Sequence, residues 1–142
     1  MKILILCTGN SCRSQMAQGF LQSFNKKLDV HSAGTNPAKL VNQISIKVMH
    51  EAGINISDHT PKSVDNFLNE EWDYVITVCD NARDNCPVFT GKVKNQLHFG
   101  FDDPSHFNGS DQFILNEFRR IRDEIKNTFF KFYKEIILEN EI

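Results

Sequence analysis

The sequence predicts an α/β fold: a single domain with an open parallel sheet flanked by helices. Three observations predict it. Short runs rich in Ile, Leu and Val recur between segments with apolar residues at helical spacing, which is the alternation of parallel βαβ units. The first run, Ile3-Leu4-Ile5-Leu6, is apolar on both faces, as a central parallel strand requires. The chain has 142 residues and no Pro/Gly/Ser-rich linker, repeat or long charge run, so one domain spanning residues 1–142 is expected.

The elements follow in order. Lys2 to Leu6 reads as a buried strand, and Ser14 to Lys26 as a helix with Met16, Ala17, Phe20, Leu21 and Phe24 on one face. Asp29 to Ser32 is a second short strand. Asn42 to Ala52 is a helix with Ile44, Val48, Met49 and Ala52 aligned, stopped by Gly53. Ser63 to Glu70 reads as a short helix, Tyr74 to Val78 as a β-branched strand, and Gln96 to Phe99 as another. A long helix starts from Ser110 or Asp111 as N-cap. Its expected core stripe is Phe113, Phe118, Ile121, Ile125, Phe129, Phe132 and Ile136, and a second stripe holds Phe130, Tyr133 and Ile137.

Composition narrows the function classes. A net charge of -2 gives no polycationic surface for nucleic-acid phosphates. The N-terminal apolar run is too short for a signal peptide or a membrane span, so a cytoplasmic protein with no membrane association is expected, monomeric by default. In a reducing compartment the four cysteines are expected to be reactive thiols rather than a disulfide framework.

The chemistry concentrates at residues 7–14, Cys-Thr-Gly-Asn-Ser-Cys-Arg-Ser. Ligands of doubly wound sheets bind at the carboxyl ends of strands, and Cys7 lies at such an end. A strand-to-helix loop turns successive N–H groups inward, and the helix dipole adds partial positive charge. Thr8, Gly9, Asn10, Ser11, Cys12 and Arg13 are therefore the expected oxyanion-binding residues. Gly9 allows a tight path, Asn10 tolerates a left-handed backbone, and Arg13 offers bidentate charge-assisted hydrogen bonds. The same field should make Cys7 a thiolate nucleophile at neutral pH, with Ser14 donating its hydroxyl to the sulfur. A buried core thiol beside a surface arginine is the plainer reading, and the full string argues against it. Cys12 is assigned to packing within the loop. Cys79 and Cys86, spaced C-x6-C, suggest that whatever bonds to Cys7 is removed by sulfur rather than by water.

The string CTGNSCRSQMA resembles the start of the low-molecular-weight protein tyrosine phosphatase superfamily, and specifically its thioredoxin-coupled arsenate reductase branch. The resemblance continues through Ser32-Ala33-Gly34, Ile56-Ser57-Asp58-His59-Thr60, Val75-Ile76-Thr77-Val78-Cys79, Asn85-Cys86-Pro87, Gly100-Phe101-Asp102-Asp103-Pro104 and Arg119-Arg120-Ile121-Arg122-Asp123-Glu124-Ile125. Phosphatases of the superfamily place tyrosines after the Asp-Pro pair, where this chain has Ser105-His106-Phe107.

The resemblance implies arsenate reduction by a triple displacement. Cys7 attacks arsenate, for which phosphate and sulfate are analogues. Asp103 acts as general acid, with Asp102 as the fallback. Cys79 then attacks Cys7 to release arsenite, and Cys86 moves the disulfide to Cys79-Cys86 for reduction by thioredoxin. The segment Asp80 to Asn85 is expected to be helical when reduced and to rearrange on oxidation.

Some members of this branch bind potassium with acidic side chains. Gln18 and Lys62 occupy those places here, a charged lysine cannot ligate a cation, and Asn10 and Ser32 are expected to brace the loop instead. No metal or other cofactor is expected. Two alternatives remain: a phosphatase acting on phosphotyrosine or small phosphate esters, and a zinc module built on the four thiols, whose C-x4-C and C-x6-C spacings suit it poorly.

Overall fold

The computed structural model describes residues 1–139; the last three residues of the expected 1–142 domain lie outside the described residues. Four strands, β1 (Lys2–Cys7), β2 (Asp29–Gly34), β3 (Trp72–Thr77) and β4 (Val93–His98), form one parallel sheet in the order β2-β1-β3-β4. The chain leaves β1 toward one edge and returns past it to reach β3. The boundary between β1 and β3 is thus the point where the order reverses, and ligands of such sheets bind outside the strand ends there. Ile3, Leu4, Ile5 and Leu6 are fully buried, which explains their unbroken apolar run. β4 is an edge strand with an exposed middle, and Lys94 on it discourages pairing with another chain.

Helix α1 (Arg13–Phe24) packs on β1 and β2 and against α4 (Asp111–Phe132), which also packs on α2 (Gln43–Glu51). The short α3 (Asp80–Asp84) rests on β1 and β3. Asn42 caps α2 by accepting from the N–H groups of Ile44 and Ser45, and Ser110 caps α4 by accepting from Phe113 N–H. The last turn of α4 runs into a π-helical segment, Tyr133–Leu138.

Several boundaries differ from the sequence expectation. α1 ends at Phe24 rather than Lys26 because Asn25 is extended and the Gln22 side chain binds the carbonyls of Asn25 and Leu28. Residues 63–70 form only a 3-10 turn, Val64–Phe67. Its last carbonyl accepts from Glu70 N–H and from the Trp72 indole, which ends the helical pattern. β3 starts at Trp72 and β4 at Val93, earlier than hydropathy marked, since Trp72 and Val93 pair across the sheet.

On α4, Phe118, Ile121, Ile125, Phe129 and Phe132 are buried as expected, but Phe113 is 46% exposed. It lies in the first turn, where its ring covers Gly109 instead of entering the core. The second stripe turns toward the protein's own α1: Phe130 and Tyr133 meet Phe24 at 5.2 and 5.7 Å, and Ile137 is fully buried. No described helix is long and apolar enough to cross a membrane.

Candidate active site

The loop between β1 and α1 is held open from outside. The carbonyls of Cys7, Thr8, Gly9 and Ser11 accept from the N–H groups of Thr35, Asn36, Ala38 and Asn42, at 2.9 to 3.1 Å. A planar trans peptide points its N–H opposite to its carbonyl, so the N–H groups of Thr8, Gly9, Asn10 and Cys12 are turned into the loop. This concave row of donors at the start of α1 is an anion nest.

Asn10 is the left-handed residue, with φ 52°, and it is fully buried. Its amide donates to the hydroxyls of Ser14 (2.7 Å) and Ser32 (2.9 Å), and its oxygen accepts from Lys62 N–H (2.9 Å) and the Gln15 amide (3.2 Å). The Ser32 hydroxyl in turn donates to Gln18. These bonds brace the loop from beneath, as expected of Asn10 and Ser32. Gly9 is not in the left-handed region, and a side chain there would meet only ordinary contacts. The sterically obligatory glycine is Gly34, where a Cβ would lie 2.4 Å from the Thr8 carbonyl oxygen.

Arg13 is nine-tenths buried at the first position of α1. One terminal nitrogen donates to the Phe101 carbonyl (3.0 Å), and the other lies 3.3 Å from Asp103. Its Nε is buried with no hydrogen-bond partner among the described residues, a cost that a bound anion would remove.

Asp103 also accepts from the N–H (3.0 Å) and hydroxyl (2.7 Å) of Ser105, and His106 stands 3.4 Å from it. Burial opposes ionisation of Asp103, but the Ser105 bonds and the Arg13 charge outweigh it and hold the carboxyl below its usual range. Asp102 turns away to Arg120 at 3.5 Å, so Asp103 is the carboxylate facing the arginine.

Cys7, Arg13, Cys79 and Asp103 line one cleft of about 760 Å³, with Asn81 and His106 also on its wall. Cys79 caps α3: its sulfur accepts from Ala82 N–H and lies 3.4 Å from the Thr8 hydroxyl. The hydrogen bond from Cys7 is the largest influence lowering the Cys79 thiol to about 5, with help from Thr8, Ala82 and Arg13 against the cost of burial. Cys7 moves the opposite way, raised by that bond with Cys79 and by burial despite Arg13. In the ligand-free protein these directions run against the expected Cys7 thiolate. The donors gathered around Cys79, the Thr8 hydroxyl and Ala82 N–H, favour charge on that sulfur over Cys7.

Ser14 is fully buried, and its hydroxyl accepts from Asn10, leaving its own proton to donate. Cys12 is buried at the N-cap of α1, and burial pushes its thiol up. Cys86 does not line the oxyanion cleft. It lies past the C-terminal end of α3, half-buried beside Arg83 and Gln96, with its thiol pushed up by burial. The four sulfurs thus do not converge, and no group of three metal-ligating side chains is assembled among the described residues.

Sequence reasoning overlooked Gln15, whose amide holds the Asn10 carbonyl (3.1 Å) while His59 binds its oxygen, and the contact of the Thr8 hydroxyl with Cys79. Both residues lie inside the quoted string, so their position was visible but their partners were not.

A family model described as low molecular weight phosphotyrosine protein phosphatase matches residues 2–141. The arsenate reductase of Halalkalibacterium halodurans is 46% identical over 124 residues, covering 87% of this chain and 88% of that protein. Among solved structures, an arsenate reductase in the phosphate-binding state superposes with a TM-score of 0.79 at 29% identity, covering 95% of this chain and 98% of the other. The Corynebacterium glutamicum thioredoxin-dependent arsenate reductase superposes with a TM-score of 0.67 at 29% identity, covering 97% of this chain and 62% of that one.

Proposed function

This chain belongs to the low molecular weight phosphotyrosine protein phosphatase family, and we propose that it reduces arsenate to arsenite through a three-cysteine relay regenerated by thioredoxin. One observation carries the reading: Cys79 opens onto the same cleft as Cys7 and Arg13, with its sulfur 3.4 Å from the hydroxyl of Thr8, the residue after Cys7. Hydrolysis of a phosphocysteine needs water there and no second thiol.

Arsenate binds in the nest, its oxygens taking the inward N–H groups and the free Nε of Arg13. The arriving anion adds negative charge beside Asp103, which raises that carboxyl's affinity for a proton. Asp103 takes up the proton that Cys7 releases and passes it to the departing oxygen. Cys7 Sγ forms a bond to arsenic, and water leaves. The Cys79 thiolate then attacks Cys7 Sγ; the S–S bond forms, the S–As bond breaks, and its electron pair reduces As(V) to As(III). Cys86 attacks Cys79 Sγ and frees Cys7 as a thiolate. The Cys79-Cys86 disulfide takes two electrons from dithiol thioredoxin.

Ser14 steadies the Cys7 sulfur as it leaves arsenic, and Cys12 contributes its backbone N–H to the nest. The reading places a monomer of one domain in the cytoplasm and needs no metal, since Gln18 and Ser32 already satisfy each other beneath the loop.

The test is arsenite formation from arsenate with thioredoxin, thioredoxin reductase and NADPH, with phosphate-ester hydrolysis measured alongside. Wild type should turn over, and Cys86→Ser should stop after about one equivalent of arsenite. Phosphate-ester hydrolysis that Cys86→Ser leaves unchanged, with no arsenate reduction, would make the protein a phosphatase.

A further inference from the structure

Three side chains outside the relay connect the sheet to the helix that carries Cys79. Thr77 and His98 face each other in the β3-β4 register. The Thr77 hydroxyl lies 2.8 Å from His98 Nδ1, and His98 Nε2 lies 3.0 Å from Asp80 Oδ1. A carboxylate only accepts, so Nε2 donates to Asp80, and Nδ1 and the Thr77 hydroxyl share the second hydrogen bond. Thr77 is buried, the His98 side chain is only 24% exposed, and Gly100 leaves the pair room: a Cβ there would come within 3.2 Å of Nε2. Asp80 is the first residue of α3 and directly follows Cys79.

We propose that the Thr77-His98-Asp80 chain is a positioning clamp that holds Cys79 in the cleft beside Cys7 and opposes its transfer to Cys86. This rests on the relay reading. A disulfide needs its Cα atoms within about 7 Å, whereas seven residues at helical rise span roughly 10 Å. The segment between the two cysteines must therefore rearrange when Cys79 bonds Cys86, and in the proposal it is the first turn of α3, with Asp80, that leaves its place. Forming the disulfide also removes the Cys79 sulfur as an acceptor for Ala82 N–H. The clamp stabilises the dithiol form alone, so it makes the Cys79-Cys86 disulfide easier to reduce and favours return of Cys79 to Cys7 for another cycle. Arg83, 3.8 Å from Asp80, neutralises part of the same carboxylate, but its ion pairs among the described residues are with Asp80 and Asp84 of α3 itself.

The experiment is a redox titration of the full-length protein in oxidised and reduced dithiothreitol, with thiols trapped and the Cys79-Cys86 disulfide quantified by peptide mass spectrometry. Two electrons and two protons pass from the cysteine pair to the dithiothreitol disulfide. Asp80→Ala and His98→Gln should each favour the protein disulfide about threefold, or about 14 mV toward more negative potential at 29.6 mV per tenfold. The double variant should add nothing further. Asp80→Asn, which keeps an acceptor for Nε2, should shift it less. Thermal midpoints should fall in the dithiol form and stay unchanged in the disulfide form. Equal falls in both forms, or additive shifts in the double variant, would overturn the clamp. So would unshifted potentials while the wild-type disulfide forms normally. Absence of any Cys79-Cys86 disulfide in wild type overturns the relay and the clamp with it.

Discussion

At the scale of single residues, the active cleft is governed by where one proton rests. Cys7 has a cation nearby but also a second sulfur and little solvent, while Cys79 receives donors from three directions. With its thiol lowered to about 5 and Cys7 raised, Cys79 is the readier of the two to lose its proton at neutral pH. Alkylation of the ligand-free protein by iodoacetamide should therefore label Cys79 first, with a half-maximal rate near pH 5. Removing the largest cause through Cys7→Ala should move that midpoint upward, toward the ordinary thiol value of about 8.5. Peptide mapping across a pH series checks both, and preferential labelling of Cys7 at pH 7 would put the charge on the other sulfur. Gly34 offers a second test. A methyl group there collides with the Thr8 carbonyl, so Gly34→Ala must push the loop inward or β2 outward. We expect phosphate affinity to fall at least about tenfold and stability by about 1–3 kcal/mol, the usual range for overpacking. Calorimetric titration and a denaturant melt measure the two.

At the scale of elements, α2 is fastened to α4 by Glu51. Its carboxylate takes a bidentate contact from Arg119 at 2.7 and 2.9 Å and a third from Arg122 at 3.1 Å, and Arg122 also donates to the Val48 carbonyl. The hydrogen bond from Arg119 leads the causes that lower Glu51 to about 2. Because the folded value lies below the unfolded one, this carboxylate stabilises the protein above the ordinary glutamate pKa and loses that contribution as pH falls toward 2. Solvent screens the site, so Glu51→Gln should cost about 0.5–1 kcal/mol at pH 7, the range of exposed pairs. The difference from wild type should shrink in melts below pH 4. A difference that persists unchanged at pH 2 would mean that packing, rather than charge, joins the two helices.

For the whole molecule, one core joins the sheet to the helices. Phe129 is fully buried and meets Phe99 and Phe132 edge to face at 5.6 and 6.3 Å, and Tyr74 joins them through Phe132 at 5.2 Å. Phe129→Ala should lower unfolding free energy by about 3–5 kcal/mol. Chemical denaturation followed by tryptophan fluorescence is a direct readout, since the single Trp72 is buried under Phe67. A loss below about 1 kcal/mol would mean that the aromatic cluster collapses to fill the space.

What the sequence by itself determined is whatever depends on local order: the buried central strand, the helix periods, the start of the last helix at Ser110 or Asp111, and a loop in which Asn10 takes the left-handed backbone. Each follows from steric and hydrogen-bonding preferences of residues within a few positions of one another. The position of Cys79 in the cleft with Cys7, the separation of Cys86 from it, the choice of Asp103 over Asp102 and the Thr77-His98-Asp80 chain were decided by tertiary structure. So was the exposure of Phe113, which shares its helical spacing with buried residues but lies in the first turn against Gly109. The lowering of the Cys79 thiol belongs to the same class, because a thiol's charge depends on donors that come from α3 and the loop between β1 and α1. Spacing along a chain shows which groups are present; only packing brings Thr8 and Cys79, 71 positions apart, within hydrogen-bonding reach.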